Sequence, residues 1–137
     1  MITIDQQLKH NDCGISAVKT IYNLFDMQVS RSYIEENIHF IAERTNATAM
    51  CVTRGGDGAL LYWKGKLYEN KGYPVKVADT VGAGDSFLAS LITYLLTNKE
   101  PQLAIDFACA VGALVAEAPG ANPEISFSRI ENMIYKL

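Results

Sequence analysis

Apolar residues recur at helical spacing twice in the first third of the chain. In residues 13–25 this face is formed by Ile15, Val18, Ile21, Tyr22 and Phe25. In residues 31–43 it is formed by Tyr33, Ile34, Ile38 and Ile41. The periodicity predicts two N-terminal helices, and Asp12 and Ser30 stand where the N-caps of these helices are expected.

Beyond residue 46 the chain changes to short apolar runs that are separated by turn residues. We predict strands at residues 47–53, 59–63, 66–69 and 74–78, because short apolar runs between turn signals are typical of buried strands. The sequence RGGDG at residues 54–58 predicts a turn. Lys64 and Gly65 predict a tight hairpin between the second and third strands.

Three helices are predicted after the strands. They cover residues 86–97, the segment from Pro101 to about residue 118, and a short segment that ends at Tyr135. Pro101 suits the first turn of its helix, and Ser126 or Ser128 is the expected cap of the last one. The order predicts an α/β fold in which a few strands form a mixed sheet with a hairpin, packed by C-terminal helices.

The composition describes a globular chain without a strong charge. It has 137 residues, 49% of them hydrophobic, and a net charge of -3, so no basic surface favours nucleic acid or acidic membranes. The N-terminus is polar, and no apolar run approaches the ~20 residues of a membrane span. Three scattered cysteines without a CxxC motif argue against a disulfide framework. We therefore expect a cytoplasmic protein without nucleic-acid or membrane partners.

Residues 79–87, DTVGAGDSF, place glycines and an acid where a predicted strand meets a predicted helix. Glycine allows an anion to approach the backbone closely, and the free amides at a helix start carry partial positive charge. Gly82, Ala83 and Gly84 therefore offer a cradle for a phosphate. Asp85 beside them can accept a proton from a substrate hydroxyl. The alternative is that Asp85 only caps the helix and the glycines only turn the chain.

The longer sequence DTVGAGDSFLASLI, residues 79–92, resembles the C-terminal signature of the ribokinase or PfkB family of carbohydrate kinases. Within that family it is most similar to fructokinases. The resemblance covers about residues 40–137 and implies a partial ribokinase-like fold that uses ATP and Mg²⁺. It implies that Asp85 is the catalytic base and that Gly82, Ala83 and Gly84 form the anion hole. Asp79 and the carbonyl of Val81 resemble positions that bind a monovalent cation such as K⁺ in some members.

Two flanking stretches resemble the nucleotide site of the same family. VTRGGDGALLY, residues 52–62, is similar to the TxGxxG segment, which implies that Thr53, Gly55 and Gly58 line the phosphates and ribose. ACAVGALVAEAPGANPEI, residues 108–125, is similar to the helix and loop that wall the adenine pocket. The residues implied there are Val111, Gly112, Val115, Gly120, Ala121 and Asn122. The alternatives are an ordinary hairpin turn and a plain core helix, and Cys109 stands where many relatives carry Asn.

The sugar-binding part of such a kinase cannot be assigned in this chain. In the family, the N-terminal half supplies most of the sheet, the lid and the sugar contacts. We therefore expect nucleotide binding with weak or no sugar kinase activity from the chain alone, since catalysis requires a held acceptor hydroxyl. A non-catalytic nucleotide-binding or interaction module is the alternative. A sheet cut in this way exposes apolar surface, which predicts a homo-oligomer unless the first two helices cover it.

The first forty residues raise a separate hypothesis. QQLKHNDCGISAVKTIYNLF, residues 6–25, continued by DMQVSRSYIEENI, residues 26–38, resembles the start of the C39 cysteine peptidases, the leader-cleaving domains of bacteriocin-exporting ABC transporters. The resemblance implies Cys13 as nucleophile and Gln7 as oxyanion donor, although His10 and His39 do not occupy the position of the family's catalytic base. A buried or capping thiol is the alternative. The chain is therefore interpreted as a fusion of a peptidase-like segment, residues 1–39, with a kinase-like segment, residues 40–137.

Overall fold

The computed structural model describes residues 30–136. The chain forms two compact units, which divide between Ala47 and Thr48. The first predicted helix, over residues 13–25, lies outside the described residues, as do Cys13 and Gln7.

Helix α1, Arg31–Thr45, belongs to the first unit. The Ser30 side chain accepts a hydrogen bond from the Tyr33 amide at 3.2 Å, which confirms the predicted cap. The buried residues of the helix are Ile34, Ile38 and Ala42, one row at i, i+4 spacing. Tyr33 and Ile41 flank this row and are 46% and 45% exposed, so the buried face is narrower than predicted.

The sheet of the second unit is an antiparallel meander of three strands: β1 (Ala49–Thr53), β2 (Ala59–Trp63) and β3 (Lys66–Asn70). A 3₁₀ turn, Gly55–Asp57, joins β1 to β2. Lys64 and Gly65 have φ values of 48° and 87°, which match the tight hairpin predicted there. Every described strand pair is antiparallel, whereas a mixed sheet was expected.

The strand predicted at residues 74–78 is wrong. No strand of the described residues pairs with this segment, and Val77 is 59% exposed. The amides of Ala78 and Asp79 instead donate to the carbonyl of Ala116, at 2.8 and 3.2 Å. A strand needs a partner strand for its backbone groups, and this segment has none among the described residues, so its end is held by a helix carbonyl instead of a ladder.

The second unit ends with three helices: α2 (Ala83–Leu96), α3 (Pro101–Glu117) and α4 (Phe127–Tyr135). Pro101 occupies the first turn of α3 as predicted. The Ser126 side chain caps α4 by accepting from the Arg129 amide at 3.4 Å. Helix α2 begins three residues before the predicted start, so the glycine loop forms its first turn. None of the helices in the described part is long and apolar enough to cross a membrane.

Helix α3 is central to the second unit, since it contacts β2, β3, α2 and α4. The main core cluster is formed by Ala59, Leu61, Phe87, Leu91, Ala104, Ile105, Ala108 and Cys109. These residues come from β2, α2 and α3, so one core fixes the first turn of α2 relative to the sheet. Burial of this kind contributes roughly 25 cal/mol per Å² of apolar surface.

Candidate functional site

The start of α2 is built on a glycine in a left-handed conformation. Gly82 is the N-cap residue with φ of 79°, a conformation that residues with a Cβ rarely adopt. A Cβ at this position would also overlap the carbonyl oxygen of Ala121. The sequence therefore needs glycine here for two independent reasons, its φ angle and the close approach of the loop that carries Ala121.

The amide groups of this turn differ in their partners. The Ser86 amide donates to the Gly82 carbonyl at 2.9 Å, and the Ala83 amide donates to the Thr80 carbonyl at 3.3 Å. The amides of Gly84 and Asp85 have no acceptor among residues 30–136. Free amides at a helix start carry the positive end of the helix dipole. Of the predicted cradle residues, Ala83 thus uses its amide for a hydrogen bond within the turn. The Gly84 amide can still bind a ligand, and so can the Asp85 amide, which was not among the predicted donors.

Asp85 occupies the third helical position of α2, and its side chain is exposed. A capping carboxylate at this position would accept a hydrogen bond from the amide of the N-cap residue. The Asp85 carboxylate makes no hydrogen bond or ion pair within the described part of the chain. The carboxylate is therefore free to accept a proton or a hydrogen bond from a ligand.

Asp79 shapes the turn that leads into the glycines. Its Oδ1 atom accepts from the Val81 amide at 3.0 Å, a side-chain turn that fixes the local backbone. In residues 30–136 no group of three or more His, Cys, Asp or Glu side chains is placed to hold a metal ion. The monovalent-cation role of Asp79 and Val81 stays a prediction.

The loop after α3 lies directly beside the start of α2. Ala121 contacts Gly82 closely, as described above, and Gly120 has φ of 81° with open space around its Cα atom. Asn122 is exposed. The fold therefore brings the predicted adenine-side loop and the predicted anion hole to one surface.

The three predicted adenine-wall residues of α3 occupy different environments. A Cβ on Gly112 would lie 3.3 Å from the Ala83 carbonyl oxygen and 3.5 Å from the Phe87 Cβ, so Gly112 allows α2 and α3 to approach. Val115 is only 2% exposed and presents almost no surface to a ligand. Val111 is half-buried and packs against a cluster of buried residues shared with α4. Val111 is thus the only one of the three with a side chain that retains accessible surface.

Two thiols lie within this core. Cys109 is 8% exposed, and burial raises the pKa of its thiol to about 12. Burial also raises the pKa of Cys51 to about 12. Because the thiolate is the reactive form of cysteine, burial disfavours both residues as nucleophiles at neutral pH.

The TxGxxG loop, residues 53–58, connects β1 to β2. The Arg54 amide donates to the Gly58 carbonyl at 2.8 Å, and Thr53 is exposed at the end of β1. A Cβ on Gly58, whose φ is 83°, would overlap the backbone of Asn70 and Gly72. Gly55 has open space around it. The loop is therefore pressed against the turn that follows β3 while its Gly55 side stays accessible.

Sequence reasoning missed the residues that hold this loop. The Arg54 guanidinium pairs with the Glu69 carboxylate at 2.9 Å, with both side chains largely buried. Asn70 and Gly72 form the turn beneath the loop, where the Gly72 amide donates to Asn70 Oδ1 at 2.8 Å. Asn and Gly are typical turn residues, so the sequence Asn-Lys-Gly at the end of β3 made this turn open to prediction.

The candidate site is an open surface. Two shallow concave regions of the described surface, with volumes of about 500 and 480 Å³, are lined by residues of α1 and by residues 124–129. Neither includes Asp85 or its neighbours. Ligand sites normally bury most of the ligand surface, so the described residues form one side of such a site.

Comparison with known proteins assigns most of this chain to one family. The family model described as "pfkB family carbohydrate kinase" matches residues 28–126. The match includes the TxGxxG loop, the glycine turn with Asp85, and the loop at residues 120–122. It begins inside the stretch that resembles a C39 peptidase, and the comparisons do not show that peptidase resemblance.

Curated relatives include an ATP-dependent ribose-1-phosphate kinase of Halopiger xanaduensis, 33% identical over 88 residues, with 64% of this chain and 30% of the relative covered. A fructokinase of Salmonella typhimurium is 34% identical over 97 residues, with 65% and 31% covered. The chain thus spans about a third of the length of these relatives.

Solved structures confirm the partial ribokinase-like fold. Phosphofructokinase-2 from Escherichia coli in complex with potassium matches with a TM-score of 0.71 at 22% identity, over 86% of this chain and 38% of that chain. Arabidopsis thaliana ribokinase complexed with ribose and ATP matches with a TM-score of 0.70 at 22% identity, over 85% and 38%. At such identity the likeness shows the fold alone. Since the family model matches well over half of this chain, the chain belongs to the pfkB family of carbohydrate kinases.

Proposed function

We propose that this chain is the ATP-binding and proton-accepting section of a PfkB-type sugar kinase, which transfers a phosphoryl group from ATP to a sugar hydroxyl, as a fructokinase does. The observation that carries the proposal is the first turn of α2, where the Asp85 carboxylate stands beside the amides of Gly84 and Asp85, and none of the three has a partner within residues 30–136. A proton acceptor next to anion-binding amides is what phosphoryl transfer to an alcohol requires.

In the proposed reaction the Asp85 carboxylate accepts the proton of the sugar hydroxyl as its oxygen attacks the γ-phosphorus of ATP. The bond from that phosphorus to the bridging oxygen breaks, and ADP leaves. The amides of Gly84 and Asp85 stabilise the negative charge on the transferred group, because they are fixed by the helix and need no reorganisation. Transfer is direct, so no covalent enzyme intermediate forms.

The remaining ligand contacts follow from the accessible glycines. Gly55 and Gly120 each have open space at the Cα atom, so a phosphate or ribose can approach the backbone there. Thr53 and Asn122 are exposed beside them and offer polar side chains. Mg²⁺, when bound with ATP, neutralises the phosphate charge. K⁺ is assigned to the turn of Asp79 and Val81 as the family resemblance implies.

The described residues provide no site that would hold the sugar that accepts the phosphoryl group. The chain spans about a third of its curated relatives, and no sugar pocket can be built from the described residues. Holding the acceptor next to the phosphate contributes roughly 7–11 kcal/mol in favourable cases. We therefore propose nucleotide binding in the cytoplasm with weak or no turnover by the isolated chain, and self-association as a homo-oligomer.

Calorimetric titration of the chain with Mg·ATP tests the proposal, with Asp85→Asn as the matched variant. Binding of Mg·ATP by both proteins is expected, because the amides remain in the variant. An ADP-release assay with fructose is expected to show little turnover, and any turnover should vanish in Asp85→Asn. The proposal is wrong if the unmodified chain does not bind Mg·ATP, or if Asp85→Asn retains full turnover.

The peptidase hypothesis stays a prediction. Cys13 and Gln7 lie outside the described residues, and nothing in the described part favours a thiol protease.

A further inference from the structure

A polar cluster joins the turn after β3 to the first half of α3. Asn70 Nδ2 donates to Asp106 Oδ1 at 2.7 Å. Gln102 Nε2 donates to the same Asp106 oxygen and to the Glu69 carbonyl, both at 3.0 Å. We call Asn70, Gln102 and Asp106 the polar bridge. Hydrogen bonds to a charged carboxylate are stronger than those between neutral groups, so the bridge is a strong local tie.

Asn70 uses both ends of its amide in this arrangement. While Nδ2 donates to Asp106, Oδ1 accepts from the Gly72 amide at 2.8 Å. The same side chain therefore sets the turn of residues 70–72 and fixes that turn to α3. A side chain with a donor and an acceptor is needed for both tasks.

The turn held by Asn70 is in direct contact with the TxGxxG loop. The backbone of Asn70 and Gly72 lies where a Cβ on Gly58 would be, and the Gly56 carbonyl lies where a Cβ on Gly72 would be. Two glycines thus allow backbone to lie against backbone, with no side chain between them to absorb a displacement. A shift of the turn must therefore move the loop.

We propose that Asn70 is a positioning residue for nucleotide binding, which fixes the TxGxxG loop relative to α3 and the loop that follows it. This inference rests on the proposed function, in which the TxGxxG loop and the loop at residues 120–122 bind one nucleotide. Both loops must lie at the correct separation to bind one nucleotide. The hydrogen bond between β3 and α3 therefore controls the affinity for nucleotide without touching the ligand.

Three variants distinguish the effect of losing the hydrogen bond between residues 70 and 106 from the effect of changing either residue. Asn70→Asp places two carboxylates where the 2.7 Å bond was, and like charges repel at this range. Asp106→Asn keeps an acceptor oxygen for both donors and is the mild control. The double variant Asn70→Asp with Asp106→Asn exchanges donor and acceptor, restores the bond and leaves the net charge of the native pair unchanged.

Titration with Mg·ATP is expected to show about tenfold weaker binding for Asn70→Asp, the loss that one broken charge-assisted bond gives. Binding within about twofold of the native value is expected for Asp106→Asn and for the double variant. Ile130→Val, a buried substitution in α4, serves as a stability control, since it removes a buried methyl group and so lowers stability at a residue outside the loop and the turn.

Hydrogen exchange provides a readout that needs no nucleotide. The amides of Arg54, Asp57 and Gly58 are hydrogen-bonded within the loop, so they are expected to lose protection in Asn70→Asp and to regain it in the double variant. Ile130→Val is expected to leave them unchanged.

The inference is overturned if Asn70→Asp binds Mg·ATP as tightly as the native chain, if the double variant fails to recover, or if Ile130→Val loses affinity equally. A native chain that does not bind Mg·ATP overturns the proposed function instead. In that case the exchange data still decide whether Asn70 positions the loop.

Discussion

Gly82 and Ala121 lie so close together that a Cβ on Gly82 would overlap the carbonyl oxygen of Ala121. This contact places the loop after α3 against the first turn of α2. The position of the proposed anion-binding amides and the position of that loop are therefore not independent.

Gly82→Ala is expected to destabilise the chain. The φ of 79° costs an alanine about 1–2 kcal/mol, and the overlap with Ala121 adds to this cost. Urea unfolding should show a loss above about 1 kcal/mol. Gly84→Ala is the matched control, since it has open space around it and a helical position where alanine is favoured by about 0.5–1 kcal/mol. Equal stability of the two variants would contradict the contact.

Asp85→Asn is expected to leave the fold nearly unchanged. The carboxylate has no hydrogen-bond partner in residues 30–136, so its loss removes only a favourable interaction with the helix dipole, worth about 0.3–1 kcal/mol. Thermal unfolding measures this difference. A loss of several kcal/mol would show that Asp85 has a structural partner and would weaken its assignment as the proton acceptor.

Stability is expected to fall as the pH rises above 9. Burial raises the pKa of Cys109 from 9.0 to about 12, so between these values the folded thiol keeps a proton that the unfolded chain releases. Ionisation thus favours the unfolded state, and the stabilising effect is complete only below the unfolded pKa. Urea unfolding at pH 8.0 and about 9.5 measures the slope.

Cys109→Ala should reduce this slope, although its absolute stability falls because of the cavity. Cys51, whose pKa burial also raises to about 12, retains its own contribution to the dependence. An unchanged slope in Cys109→Ala would show that the Cys109 thiol ionises as readily in the folded chain as in the unfolded one.

Self-association is expected through an apolar row on α2. Leu88, Ile92 and Leu96 lie at i, i+4 and i+8 and are 52%, 46% and 76% exposed, and contiguous apolar surface of this kind promotes association. Ile92→Glu should lower the mass measured by light scattering at a fixed concentration. Asn132→Glu on α4 adds the same charge at an exposed polar position and should not. A native chain that is monomeric throughout would contradict this prediction.

Features with a local cause could be predicted from the sequence. Ser30, Ser126 and Pro101 mark helix starts because capping and the fixed φ of proline depend on neighbouring residues only. Lys64 and Gly65 form their hairpin for the same reason. The glycine turn before Asp85 belongs to this group, which is why its place at a helix start was open to prediction.

Features that depend on distant parts of the chain could not be predicted in this way. Residues 74–78 have the pattern of a strand, yet the described residues provide no strand beside them. Val115 and Gly112 were assigned to a ligand wall by resemblance, but their burial is decided by how α3 packs against its neighbours. Asn70 was missed because its partner, Asp106, is 36 residues away in sequence.

The Ala116 carbonyl accepts two hydrogen bonds, and this limits how the length of α3 can vary. The amides of Ala78 and Asp79 reach one oxygen near the end of α3, and each helical residue turns the helix by about 100°. One residue inserted between Pro101 and Ala116 would rotate that oxygen away from both donors. The number of residues in α3 is therefore constrained by the segment that leads to Asp85.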